Sequence, residues 1–282
     1  MSLYVVTGSA SGMGSAVVER LKGSGHDVLT VDQHDADVVA DLSTAEGRAR
    51  AGREVLKLSE GRLDGAVLAA GLGPALVPGR AKLVLEVNYN GVVELLEAWR
   101  PALAAGGNAK VVAFGSNSST TVPLVPAPAI SALLRGRSDR ALWVLNLAGR
   151  QAPTFAYAAS KIALARWIRR NATAPEWIGA GIRLNALAPG AIMTPLLERQ
   201  LATPAEAKLI RQFPIPAGGF GDPGQLADWV VFMLGPAADF LVGSVVFVDG
   251  GSDAWFRADD WPRGVPARRL RGYLKRMKEF RR

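Results

Sequence analysis

Short continuous runs of apolar and β-branched residues recur along the chain, each followed by a glycine or polar turn and then by a stretch of helical periodicity. The runs at 3–7, 27–31, 66–70, 110–114, 182–187 and 244–248 read as strands buried on both faces, as in a parallel sheet. Helical spacing follows at 15–22, 43–59 (with Ser43 or Thr44 as N-cap), 80–103 and 225–234. Strands alternating with helices predict an α/β fold with one doubly wound parallel sheet, whose ligands bind beyond the strand C-termini. Gly8, Asp32, Gly71 and Ser116 all fall at such ends.

Two stretches break the alternation. Pro123, Pro126 and Pro128 exclude long regular structure, and 130–147 then offers Leu133, Leu134, Leu142, Trp143, Leu145 and Leu147, enough for one or two short helices that must pack on something. An insertion at about 120–152 is therefore expected. Residues 191–221 form a Pro- and Gly-rich connection with a helix at about 204–213 and apolar content in Leu196, Leu197, Ile210, Phe213 and Ile215. Connections this long are often lids over a site. The folded domain is placed at 1–251, with 252–282 as a C-terminal extension.

Composition and charge refine the setting. No apolar run approaches the roughly 20 residues of a membrane span, and the start of the chain lacks a signal-peptide pattern. The absence of cysteine excludes disulfides and thiolate metal sites and fits a reducing compartment, so a cytoplasmic protein is expected. The net charge of +8 is unevenly placed: residues 257–282 hold ten Lys/Arg against three acidic residues, leaving the body near neutral. A nucleic-acid function for the body is therefore not expected. Within the extension, Leu270, Tyr273, Leu274, Met277 and Phe280 stand at helical spacing among basic residues, with Gly272 weakening the helix in isolation. Either the apolar stripe packs on the same domain or a partner subunit, which is the preferred reading, or it lies on an anionic membrane or nucleic acid.

Candidate chemistry centres on Tyr157 and Lys161, four residues apart and so on one face of a helix. A phenol titrates near pH ~10 and exchanges protons poorly at neutral pH unless a nearby cation favours its phenolate, and Lys161 is placed to be that cation. The first strand runs into Gly8, Ser11, Gly12, Met13 and Gly14 and then into a helix, the context in which a phosphate approaches backbone N–H groups at a helix N-terminus. Asp32, closing the second strand, is suited to the ribose hydroxyls of an adenosine and would repel a 2′-phosphate, which favours NAD over NADP. His34 reads as an exposed loop residue, and no metal site is expected.

Taken together these motifs resemble the short-chain dehydrogenase/reductase family from residue 3 to about residue 251. Thr7-Gly8-Ser9-Ala10-Ser11-Gly12-Met13-Gly14 is similar to its phosphate turn, Asn88-Tyr89-Asn90-Gly91 to its N-x-x-G helix motif, and Tyr157 to Lys161 to its Y-x-x-x-K. Ser116 falls at its serine, and Pro189-Gly190 with Thr194 resembles its carboxamide loop. Ala69-Ala70-Gly71 stands where N-A-G is usual. Ser116 and Tyr157 are 41 positions apart, farther than in compact members, and the extra residues are the insertion. That insertion, with 38–48 and 68–74, looks like the bacterial 3α-hydroxysteroid dehydrogenase/carbonyl reductase subgroup.

The resemblance implies a Rossmann-like single domain and a catalytic set of Asn88, Ser116, Tyr157 and Lys161. It implies NAD contacts at Gly8, Ser11, Gly12, Met13, Gly14, Asp32, Asp41, Leu42, Ala70, Gly71, Tyr157, Lys161, Pro189, Gly190, Ile192 and Thr194. Tyr157 would pass the proton at the substrate oxygen, Lys161 would lower its pKa, and Ser116 would hold that oxygen. Asn88 is read as positioning a water that links Lys161 to solvent or as a helix-bending or capping residue, and Thr194 as a cofactor contact or a loop cap. The apolar 191–221 connection and aromatic C-terminus suggest a hydrophobic ketone or secondary alcohol, steroid or aryl. Family members usually form dimers or tetramers through the helices of Asn88 and Tyr157, a surface that the insertion would block or replace. A regulatory, non-catalytic member is disfavoured because the Asn/Ser/Tyr/Lys set is complete.

Overall fold

In a computed structural model of the chain, residues 1–262 and 264–280 are described. Arg263, Arg281 and Arg282, three of the basic groups of the extension, lie outside the described residues, as do the side chains of Leu196, Ala205, Glu206 and Leu209. Among the described residues seven strands form one parallel sheet: β1 (Leu3–Thr7), β2 (Asp27–Asp32), β3 (Val38–Val39), β4 (Gly65–Leu68), β5 (Lys110–Phe114), β6 (Arg183–Pro189) and β7 (Val245–Val248). Their spatial order is β3-β2-β1-β4-β5-β6-β7. Val5 is in register with Leu29 of β2 on one side and Ala66 of β4 on the other, so β1 is where the direction of winding reverses. In such sheets a crevice opens at that point, beyond the strand C-termini.

Among the described residues, and leaving aside short α-helical turns at Ser118–Thr121 and Ser252–Phe256, the α-helices are α1 (Gly12–Gly23), α2 (Ala45–Leu58), α3 (Arg80–Leu85), α4 (Val92–Ala105), α5 (Ala127–Leu133), α6 (Ser138–Asn146), α7 (Ala152–Asn171), α8 (Pro195–Leu201), α9 (Pro204–Gln212), α10 (Pro223–Leu234) and α11 (Leu270–Glu279). Because the strands are apolar on both faces, each face is covered. Val6, Val67 and Val112 pack with Val17 and Leu21 of α1 and Leu226 and Val230 of α10. On the other face Val5, Ala66 and Val111 pack with Leu96 and Trp99 of α4 and Leu164 of α7.

Four elements depart from the sequence-based expectation. The long helix expected at 80–103 is split, because a π-helical turn at Glu86–Gly91 separates α3 from α4. Its apolar periodicity runs through the break and so conceals it. The two-residue β3 is too short to carry a pattern. The 191–221 connection holds two helices rather than one: α8 opens at Pro195, with Thr194 Oγ1 accepting from Leu197 N at 3.4 Å. Finally, the extension does not pack its apolar stripe on the domain, since no described residue of α11 is buried.

The insertion forms α5 and α6, as expected. Ile130, Leu133, Ala141 and Leu145 are buried in the same core as Leu164 and Trp167 of α7, and the Ser138 hydroxyl donates to Asn90 Oδ1 at 3.0 Å.

Candidate active site

At the C-terminal end of β1 the chain turns sharply into α1. Gly8 has φ +69°, and a Cβ there would lie 2.6 Å from Ala70 N, so this position requires glycine for both its backbone angle and the close approach of the loop after β4. The Thr7 hydroxyl accepts from Ala70 N at 3.1 Å and ties the two loops together. Ser11 precedes α1 without making a side-chain cap, and the first turn of α1 carries no acidic residue. The N–H groups of that turn therefore have no capping side chain or carboxylate from their own helix, the condition for receiving an anion.

A cleft of about 420 Å³ opens on this helix end, lined among others by Gly8, Ser11, Gly12, Met13, Gly14, Asp32, Leu42, Ala70, Gly71 and Thr194. The Asp32 carboxylate is fixed at its edge by Ala10 N (2.9 Å to Oδ2) and Gln33 N (2.6 Å to Oδ1). Each oxygen keeps lone-pair capacity for a further donor. Dimensions, acid and uncapped helix end fit an adenine dinucleotide: the turn for the pyrophosphate and Asp32 for a ribose diol.

Some of the residues expected at the cofactor do not line this cleft. Asp41 does not line the cleft: its Oδ1 accepts from Ser43 N at 2.9 Å and Gln33 Nε2 at 3.0 Å, and these contacts, led by the Ser43 N–H, hold its carboxyl below the usual range. Asp41 thus organises the approach to α2. Ile192 faces a smaller cavity with Phe220 and Leu226. Pro189 ends β6, and Gly190 leaves room for Asp249, whose Cα would be 2.7 Å from an added Cβ. Thr194 both caps α8 and borders the cleft, beside Gly12. Arg80, His34, Pro195 and Arg199 also line the cleft. The two arginines carry no motif; they reach the cleft from α3 and from α8.

Deeper along the sheet edge, β5 delivers Ser116 and α7 delivers Tyr157 and Lys161. The end of β5 is anchored to β6 by Gly115 N to Leu187 O (2.6 Å) and Asn117 N to Pro189 O (2.9 Å). Ser116 is buried, and its hydroxyl accepts from Ser118 N at 3.1 Å. Lys161 is buried as well, and its Nζ donates to Phe114 O at 2.7 Å and lies 5.9 Å from the centroid of the Tyr157 ring.

Burial raises the Tyr157 phenol above its ordinary value, with the neighbouring Ser116 hydroxyl pulling the other way. Burial lowers Lys161 to about 8. For the phenol the leading influence in the fold is desolvation of the phenolate.

Asn88 sits within the π-helical turn, and its side-chain amide pairs with one residue through both its oxygen and its nitrogen. Oδ1 accepts from Leu72 N at 2.8 Å and Nδ2 donates to Leu72 O at 2.9 Å. The amide clamps the loop after β4. Gly71 lies between Asn88 and Lys161, where an added Cβ would meet Asn88 Oδ1 at 3.4 Å and Lys161 Nζ at 3.9 Å.

A glycine turn at the sheet's reversal point, with serine, tyrosine and lysine converging beside it, defines a nucleotide-binding oxidoreductase fold, and similarity to known proteins agrees. The model of the NAD dependent epimerase/dehydratase family matches residues 4–190, and that of enoyl-(acyl carrier protein) reductase matches 146–253. The chain belongs to the short-chain dehydrogenase/reductase family. It is 40% identical to a 3-alpha-hydroxysteroid dehydrogenase/carbonyl reductase of Comamonas testosteroni, over 91% of this chain and 98% of that protein. A coniferyl-alcohol dehydrogenase of Pseudomonas sp. is 32% identical, over 88% and 94%. Among solved structures, a 3-alpha-hydroxysteroid dehydrogenase from Pseudomonas sp. B-0831 complexed with NADH superposes with a TM-score of 0.85 at 41% identity, covering 92% of this chain and all of that one.

Proposed function

We propose that the protein is an NAD(H)-dependent oxidoreductase that interconverts a hydrophobic secondary alcohol and its ketone. The observation that carries this reading is the convergence of Ser116 and Lys161 on Tyr157 beside a cleft bordered by the glycine turn and Asp32. The relatives named for hydroxysteroids and coniferyl alcohol support a bulky apolar substrate.

The dinucleotide would be held by the α1 N-terminus through its pyrophosphate and by Asp32 through its adenosine ribose, and it supplies the hydride. The chain's own residues handle the proton. A phenol kept protonated by burial is ready to donate to a ketone oxygen, and the Ser116 hydroxyl is placed to hold that oxygen. In the alcohol-to-ketone direction Tyr157 must take up the proton as phenolate. A cationic Lys161 and the positive charge of an oxidised nicotinamide favour that form.

The insertion bears on assembly. By packing α5 and α6 onto α7 within one subunit, it covers a surface through which a partner would otherwise meet α7. Subunits of a homo-oligomer would therefore join elsewhere.

Purified protein assayed by NADH absorbance against steroid 3-ketones, aryl ketones and diketones, with NAD(H) and NADP(H) in parallel, tests the reading. Turnover of bulky ketones with NADH is expected, and Asp32→Ala should weaken NADH use by roughly tenfold or more while narrowing the gap to NADPH. Preference of the unmodified protein for NADPH would refute the role of Asp32.

A further inference from the structure

The C-terminal extension presents an amphipathic helix that the domain leaves uncovered. Leu270, Tyr273, Leu274, Met277 and Phe280 are all exposed, Met277 by 65% and Phe280 by 76%. At 100° per residue these five fall within about a third of the helix circumference. Arg271 and Lys278 border one side of that stripe and Arg269 and Arg276 the other, with Lys275 behind. Among the described residues, the ion pair formed by this helix's basic groups is Lys275 with Glu279, at 3.5 Å within the helix itself. The helix lies beyond residue 253, where the family-model match ends. Trp261, in the segment leading to it, is 71% exposed.

We infer that this helix docks the enzyme on an anionic lipid surface, lying in the plane of the interface. An apolar stripe edged on both sides by long basic side chains suits that position: the stripe enters the acyl boundary while lysine and arginine heads reach lipid phosphates. Nucleic acid would satisfy the cations but leave five large apolar side chains in water. Pairing with the same helix of a second copy would cover the stripe but align two basic borders, which repel. The helix carries the attachment and none of the residues placed at the active site, so its failure would leave the proposed chemistry standing.

The test is co-sedimentation of the full-length protein with phosphatidylcholine vesicles, with and without phosphatidylserine. Leu274→Glu and the double variant Arg271→Glu/Lys278→Glu are compared with the unaltered chain, and unfolding midpoints verify that each remains folded. Binding to phosphatidylserine vesicles is expected, falling with added salt and by roughly tenfold or more in each variant. Failure to sediment with those vesicles, or binding indifferent to Leu274→Glu, would overturn the inference. So would equal affinity for a DNA duplex that survives Leu274→Glu, or a change of oligomeric state in that variant without lipid, which would assign the stripe to a second copy.

Discussion

Gly8 shows how a single position serves fold and site together. Its φ of +69° and the 2.6 Å separation between an added Cβ and Ala70 N make Gly8→Ala strained in both backbone and packing. A loss of about 2 kcal/mol or more in unfolding free energy is expected, with dinucleotide binding weakened in parallel; urea denaturation and an NADH titration measure the two. Lys161 allows a prediction with a definite sign. Its folded pKa of about 8 lies below the ordinary lysine value of 10.5. Between those values the unfolded chain holds a proton that the folded one has lost, so this group makes stability rise with pH across the window, and its full penalty is present below it. Lys161→Met removes that penalty, so the variant's advantage should reach at most about 3 kcal/mol near pH 7 and fade by pH ~10.5. An advantage that grew with pH would contradict a buried ammonium. The glycine turn, Asp32, Ser116 and the Tyr157/Lys161 pair were legible in the sequence because each is a residue type at a strand end or a helix spacing. Arg80 and Arg199 were not, since nothing local marks a side chain that reaches a cleft from a neighbouring element.

Strands were legible where a continuous apolar run ended in a turn, and most helices where periodicity was long. The π-helical turn at Glu86–Gly91 was concealed by apolar residues on both sides of it, yet it places Asn88 where its amide clamps Leu72. The insertion was visible from its length and prolines, but only the structure shows that it builds core. Leu133 is fully buried beside α7, so Leu133→Ala is expected to lose about 2–5 kcal/mol of stability by denaturant titration, as core leucines do. A loss under about 1 kcal/mol would mean that α5 and α6 are loosely held and only decorate the domain.

For the molecule as a whole, charge and architecture divide the chain in the same place. The near-neutral body folds into one sheet with its cleft at the reversal point, while the basic extension ends in a helix with no buried described residue. Among the described residues no helix is long and apolar enough to cross a membrane. The sheet brings together side chains that are far apart in sequence: Ser116, just after β5, and Tyr157 from α7 are 41 positions apart and meet although α5 and α6 intervene. Proton transfer through Tyr157 is the central claim, and Tyr157→Phe tests it most directly. NADH titrated by fluorescence should bind the variant within a few-fold of the unaltered protein, while ketone reduction falls by about 10²–10⁴. Turnover within a few-fold of the unaltered enzyme would contradict the account.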